Sequence, residues 1–214
     1  MLKGALLDKD GVIVNSEPLY LQAVRESFKP FVDISEEEFI RRWMIEQTTS
    51  AGVIRDYKLN VSLEEIRATR EKILERLIRE ELELMPYARE VIERLCANYP
   101  LGVVSSAHKE ESLRDLGKFE LLKKFRFILS GDDCIRKKVE HTEIWERGVR
   151  QIGASAGEVL VIEDNPAAAK QAKLAGCKVI AYPNGFTRGM KFEYADVIVY
   201  SLKEVDDRLL ARLF

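Results

Sequence analysis

The sequence predicts an α/β fold: a doubly wound parallel sheet that carries an inserted all-helical domain. Three observations point to it. Six short apolar runs, several rich in Val and Ile, recur along the chain in the manner of strands buried on both faces. Amphipathic helical patterns separate the later runs, giving the βαβα alternation of an open sheet. Between the first and second runs, from about Ser16 to Leu84, helix follows helix with no strand candidate of comparable strength.

The elements follow in order. Lys3–Leu7 is the first strand candidate, and it ends abruptly in Asp8, Lys9, Asp10 and Gly11. The clearest helix of the insertion starts at Ser62, which makes a capping box with Glu65. Leu63, Ile66, Ile73, Leu74 and Leu77 then form an apolar face at helical spacing, and Glu75 and Arg79 stand in i,i+4 relation. Pro86 restarts the chain into a helix over Ala88–Ala97. The remaining strands are expected at Leu101–Ser105, Phe125–Leu129, Val159–Ile162, Lys178–Ala181 and Val197–Val199. Helices are expected at Lys109–Leu116, Glu143–Gln151 and Ala167–Leu174, with Gly176 as the stop of the last. The expected organisation is a sheet domain of residues 1–15 and 85–214 and a helical insertion of residues 16–84.

Composition narrows the function classes. The chain has 214 residues, 46% of them apolar, which is enough for a substantial core. A formal net charge of -2 implies no general attraction to nucleic acid. The charged fraction of 33% exceeds the roughly 25% of ordinary soluble domains, a weak hint of a thermophile-like surface. Cys96, Cys134 and Cys177 are scattered and odd in number, as reduced thiols in a cytoplasmic protein would be. No signal peptide or membrane-spanning run is recognisable.

The chemistry sits after the strands. Ligands of open α/β sheets bind beyond the carboxyl ends of the strands, and an insertion leaving after the first strand would lie over that edge. Asp8 and Asp10 follow the first strand, Ser105 and Ser106 the second, and Glu163 and Asp164 the fourth. The basic pair Lys137 and Lys138 lies between the third and fourth. Buried like charges repel, and a bound cation is the simplest compensation. Asp8, Asp164 and Glu163 are hard oxygen ligands suited to Mg²⁺. Asp8 is placed to attack phosphorus, and Asp10, two residues on, to exchange a proton with the leaving oxygen and then with water. Ser105 and a lysine would hold the transferring phosphoryl oxygens, helped by backbone N–H groups at the next helix N-terminus. The substrate expected is a small phosphorylated metabolite.

The motifs "LLDKDGVIVNSEP", "LGVVSSA", "GDDCIRKK" and "LVIEDNPAAAKQAKLAG" resemble those of the haloacid dehalogenase superfamily of phosphatases. The closest likeness is the branch of phosphoglycolate phosphatases, sugar-phosphate phosphatases and β-phosphoglucomutase. The resemblance implies an aspartyl-phosphate formed on Asp8 and general acid/base work by Asp10. It implies Mg²⁺ on Asp8, on the backbone carbonyl of Asp10 and on Asp164, and a helical cap over the site. Lys138 is the preferred match to the family lysine, with Lys137 the alternative. The chain departs from the family pattern at Lys137-Lys138-Val139 for Gly-Lys-Pro, at Asn15 for Asp, at Ala168 for Gly, and at Pro86-Tyr87 for Pro-Gly.

Further candidates for phosphate or substrate contact are Gly11, Ser106 and His108, with Arg41 and Arg42 reaching from the insertion. The plainer readings are a surface histidine and a solvated helix face beside a buried Trp43. His141 reads as surface and Trp145 as packing. The leading function is a Mg²⁺-dependent phosphatase, working as a monomer or small homo-oligomer. A β-phosphoglucomutase-type mutase uses the same core. A receiver-like phospho-accepting module has about half this length and no insertion.

Overall fold

The computed structural model describes residues 1–214. In chain order the elements are β1 (Gly4–Leu7), α1 (Glu17–Phe28), α2 (Glu36–Phe39), α3 (Thr49–Asp56), α4 (Leu63–Glu81) and α5 (Ala88–Cys96). There follow β2 (Leu101–Val104), α6 (Lys109–Lys118), β3 (Phe127–Leu129), α7 (Glu143–Ile152), β4 (Val159–Glu163) and α8 (Pro166–Leu174). β5 (Lys178–Ala181), β6 (Val197–Ile198) and α9 (Asp207–Leu213) complete the chain. The chain divides into two compact units, Met1–Val14 with Leu84–Phe214, and Asn15–Glu83.

The first unit holds a six-stranded sheet in the order β3-β2-β1-β4-β5-β6, parallel throughout. The α/β class expected from the sequence is the one found. The strand order reverses direction at β1, which lies between β2 and β4, so the switch point falls beside the first strand. Every residue of β1, β2 and β4 is buried, which explains their continuous apolar runs. On one face Leu6, Val104, Leu129, Val161 and Val179 pack with Trp145, Ile144 and Ile152 of α7 and the alanines of α8. Gly148 lets α7 approach β1: a Cβ there would meet Leu6 Cδ1 at 2.7 Å. Four strands are shorter than the sequence suggests, the first, second and sixth by one residue and the third by two. The third starts at Phe127 because a 3-10 turn over Leu122–Lys124 occupies the residues just before Phe125. The sixth is a two-residue edge strand.

In the second unit α1 packs along α4. Ser62 caps α4 as its sequence foretells: its hydroxyl accepts the Glu65 N–H at 3.1 Å, and the Glu65 carboxylate accepts the Ser62 N–H at 2.9 Å. Ile66 and Leu77 are buried, while Leu63, Ile73 and Leu74 are half-buried. Arg76 lies 3.4 Å from Glu80 and 3.5 Å from Glu26 of α1. A π-helical turn, Ile40–Ile45, continues α2, and the Trp43 ring stacks on Phe39 at 5.2 Å.

Tyr87 adopts the left-handed conformation (φ 65°), a region that favours glycine, ahead of α5. A side chain there costs about 1–2 kcal/mol that glycine avoids. Its ring is 44% exposed and touches Lys203 only loosely, 5.9 Å from ammonium to centroid. Tyr87→Gly is therefore expected to raise the melting temperature by roughly 2–4 °C. A lower melting temperature by calorimetry would contradict this account of the turn.

Candidate active site

The sheet register builds the site. Leu7 pairs with Ile162, so the residues that follow, Asp8 and Glu163, come side by side, and the Asp8 N–H donates to the Ile162 carbonyl at 3.0 Å. Asp164 comes next. One oxygen from each of Asp8, Glu163 and Asp164 lies within 4.8 Å of the other two, and all three residues are buried. Lys138, also buried, donates to Asp8 Oδ1 at 2.6 Å and to Glu163 Oε2 at 3.0 Å. Its ammonium stands 5.6 Å from the centre of the Trp145 ring. Lys137 points elsewhere, exposed and 3.1 Å from Glu140, so Lys138 is the lysine brought to the carboxylates.

The charges are strongly coupled. Burial pushes the Asp8 carboxyl up, Glu163 adds to the rise, and Lys138 opposes it, leaving Asp8 at about 8. Burial works against the Lys138 ammonium, yet Asp8 and Glu163 outweigh it and hold the group above its ordinary value. Three carboxylates against one ammonium leave an excess of buried negative charge. Such a set of hard oxygen donors suits a small divalent cation, and Mg²⁺ fits the residues present.

Asp10 stands apart from this triad. Its Oδ2 accepts from Ser105 Oγ at 3.3 Å, and its Oδ1 lies 3.3 Å from Lys9 Nζ. Ser105 is buried at the end of β2, and its Oγ accepts the Ala107 N–H at 3.1 Å. Gly11 turns the chain with φ 78°, and a Cβ there would meet Asn184 Nδ2 at 2.4 Å and Asp164 Oδ2 at 2.5 Å. Its N–H is bonded to the Val14 carbonyl, so its part is to admit Asp164 and Asn184. Ser106 is exposed. His108 is exposed at the start of α6, with Nδ1 2.7 Å from Asp132 Oδ1.

The two arginines are engaged within their own unit. Arg42 is buried and bonded to Glu38 and Asp56, each at 2.8 Å, while Arg41 is exposed and reaches Glu46 at 3.0 Å. The buried Arg42 differs from the solvated face its sequence suggests, because two carboxylates compensate its charge.

Three residues escape the sequence reading. Asn184 donates from Nδ2 to Asp164 Oδ2 at 2.8 Å. Its Oδ1 accepts the N–H groups of Phe186 and Thr187, which fixes the amide orientation. Lys9 and Asp115 form a buried pair at 2.7 Å. The sequence signal for Lys9 was its place between two aspartates.

Residues 5–182 match the haloacid dehalogenase-like hydrolase family, to which the chain belongs. A phosphorylated carbohydrates phosphatase of Thermotoga maritima is 25% identical over 182 residues, 84% of each chain. Among solved structures, β-phosphoglucomutase from Clostridium difficile superposes with TM-score 0.79 at 20% identity over 100% of this chain and 97% of that one. CbbY from Rhodobacter sphaeroides, in complex with phosphate, gives TM-score 0.75 at 23% identity over 94% and 95%. The likeness to these two structures shows the fold. No helix is long and apolar enough to cross a membrane.

The raised Asp8 value has a thermodynamic consequence. Folded, the metal-free chain keeps a proton on Asp8 up to about pH 8, whereas the ordinary value is 3.8. Stability therefore falls as pH rises through that window. A cation favours the deprotonated form and opposes the fall. In EDTA the melting temperature is expected to be lower at pH 8 than at pH 6, with a larger Mg²⁺-induced rise at pH 8. Both effects shrink in Asp8→Asn. A melting temperature at pH 8 indifferent to Mg²⁺ contradicts this reading of the triad.

Proposed function

We propose that this chain, a member of the haloacid dehalogenase-like hydrolase family, hydrolyses a small phosphomonoester, of the phosphorylated-carbohydrate class, through an aspartyl-phosphate on Asp8. The observation that carries the proposal is the buried Asp8–Glu163–Asp164 triad with Lys138 bonded across it.

In the first half-reaction an Asp8 carboxylate oxygen forms a bond to phosphorus while the bond to the ester oxygen breaks. Asp10 gives its proton to the departing alkoxide. In the second half-reaction water attacks the phosphoryl group, Asp10 takes its proton, and the bond to Asp8 breaks. Inorganic phosphate leaves and both carboxyl groups return to their starting states. Ser105 Oγ and the Lys138 ammonium hold the phosphoryl oxygens as negative charge spreads over them. Ser106 and His108, on the segment that follows Ser105, are the candidates for further phosphate contact, and Gly11 admits Asp164 and Asn184. Asp8, Glu163 and Asp164, with the backbone carbonyl of Asp10, would hold Mg²⁺, which supplies positive charge to offset theirs and that of the phosphate. The family likeness and the name of the Thermotoga relative support the same reading.

The test is hydrolysis of p-nitrophenyl phosphate and a panel of sugar phosphates with Mg²⁺ and with EDTA. Asp8→Asn is expected to lower kcat by at least about a thousandfold, and Asp10→Asn by about 10²–10⁴-fold. Phosphate release from wild type that survives in Asp8→Asn overturns the assignment of the nucleophile. Interconversion of glucose 1-phosphate and glucose 6-phosphate with little phosphate release identifies a mutase instead.

A further inference from the structure

We propose that Lys9, the residue between the two aspartates, is a positioning residue for Asp10, fixing the carboxylate in the orientation from which it exchanges its proton; the inference rests on the reading of Asp10 as the proton-transfer group. Lys9 is 2% exposed, and its ammonium has two anionic neighbours. It donates to Asp115 Oδ2 of α6 at 2.7 Å and lies 3.3 Å from Asp10 Oδ1. Ser105 Oγ holds the other oxygen, Oδ2, also at 3.3 Å. Each oxygen of Asp10 is thus met by a donor on a different element.

The pair with Asp115 explains little on its own terms. Asp115 has a second counter-ion, because Arg114 approaches its Oδ1 at 2.8 Å. Replacing a buried ion pair by apolar residues of similar size is often neutral or stabilising. What Asp115 does is anchor the tip of a flexible side chain. α6 holds the Lys9 ammonium where it also reaches Asp10. An ammonium only donates, so Oδ1 stays an acceptor. Without Lys9 the Asp10 carboxylate turns more freely, and both proton transfers lose their fixed geometry.

The test separates this role from plain structure. Lys9→Met leaves buried Asp115 with Arg114 alone, so it is compared with Lys9→Met/Asp115→Leu, which removes both buried charges. Turnover of p-nitrophenyl phosphate with Mg²⁺ and the melting temperature are measured for each. The double variant is expected to melt within a few degrees of wild type. Its kcat falls at least tenfold while KM rises less than twofold. In an Asp10→Asn background the same pair of substitutions changes kcat less than twofold, since the group Lys9 positions is already gone. A double variant with wild-type kcat overturns the inference, as does an equal loss in both backgrounds. Should Asp10→Asn alone leave kcat unchanged, the assignment of Asp10 fails, and the inference fails with it.

Discussion

Repulsion among carboxylates at the ends of β1 and β4 is the constraint on which the rest of the site depends. Parallel pairing of the two strands puts Asp8 beside Glu163 whatever their charges. Removing carboxylates from water is costly, and two neighbours of like sign raise the cost further. Lys138 offsets part of this from a loop 25 residues before Glu163. Its position is in turn supported by Trp145, wholly buried against the sheet. Packing of α7 on the sheet and placement of the Lys138 ammonium are thus one arrangement.

The same constraint sorts the acids by role. Asp8, Glu163 and Asp164 converge in a site poor in positive charge, as cation ligands do. Asp10 lies only two residues from Asp8, yet it is half-buried and has a hydroxyl and an ammonium as neighbours. The proposed reaction uses Asp8 to bond phosphorus and Asp10 to carry a proton. A two-residue step along the chain suffices, because the backbone leaves the sheet at Asp8 and turns at Gly11.

Much of this was legible in the sequence, and the limits have physical causes. Strands buried on both faces must be apolar throughout, so β1, β2, β4 and β5 announce themselves, and the acids that end β1 and β4 stand out against them. The capping box of Ser62 and Glu65 is local and was legible for that reason. Long-range pairing is not local. Adjacent lysines 137 and 138 look alike until the fold buries one and exposes the other. Asp115 lies 106 residues from Lys9 and reads as an ordinary charge on an amphipathic helix. Asn184 lies outside the motifs the sequence singles out, and its bond to Asp164 follows only from the packing of the loop after β5. Arg42 reads as surface because its compensating acids, Glu38 and Asp56, are brought together only when the second unit folds.

The central claim is that a phosphoryl group passes through the carboxylate at position 8, and one measurement addresses it directly. The protein is quenched in acid during turnover of a phosphomonoester with Mg²⁺, reduced with borohydride and mapped by peptide mass spectrometry. An acyl phosphate is reduced to an alcohol, so the account predicts homoserine in place of Asp8. Full hydrolysis of the substrate with Asp8 unmodified, or a phosphoryl group trapped on Ser105 instead, would contradict it.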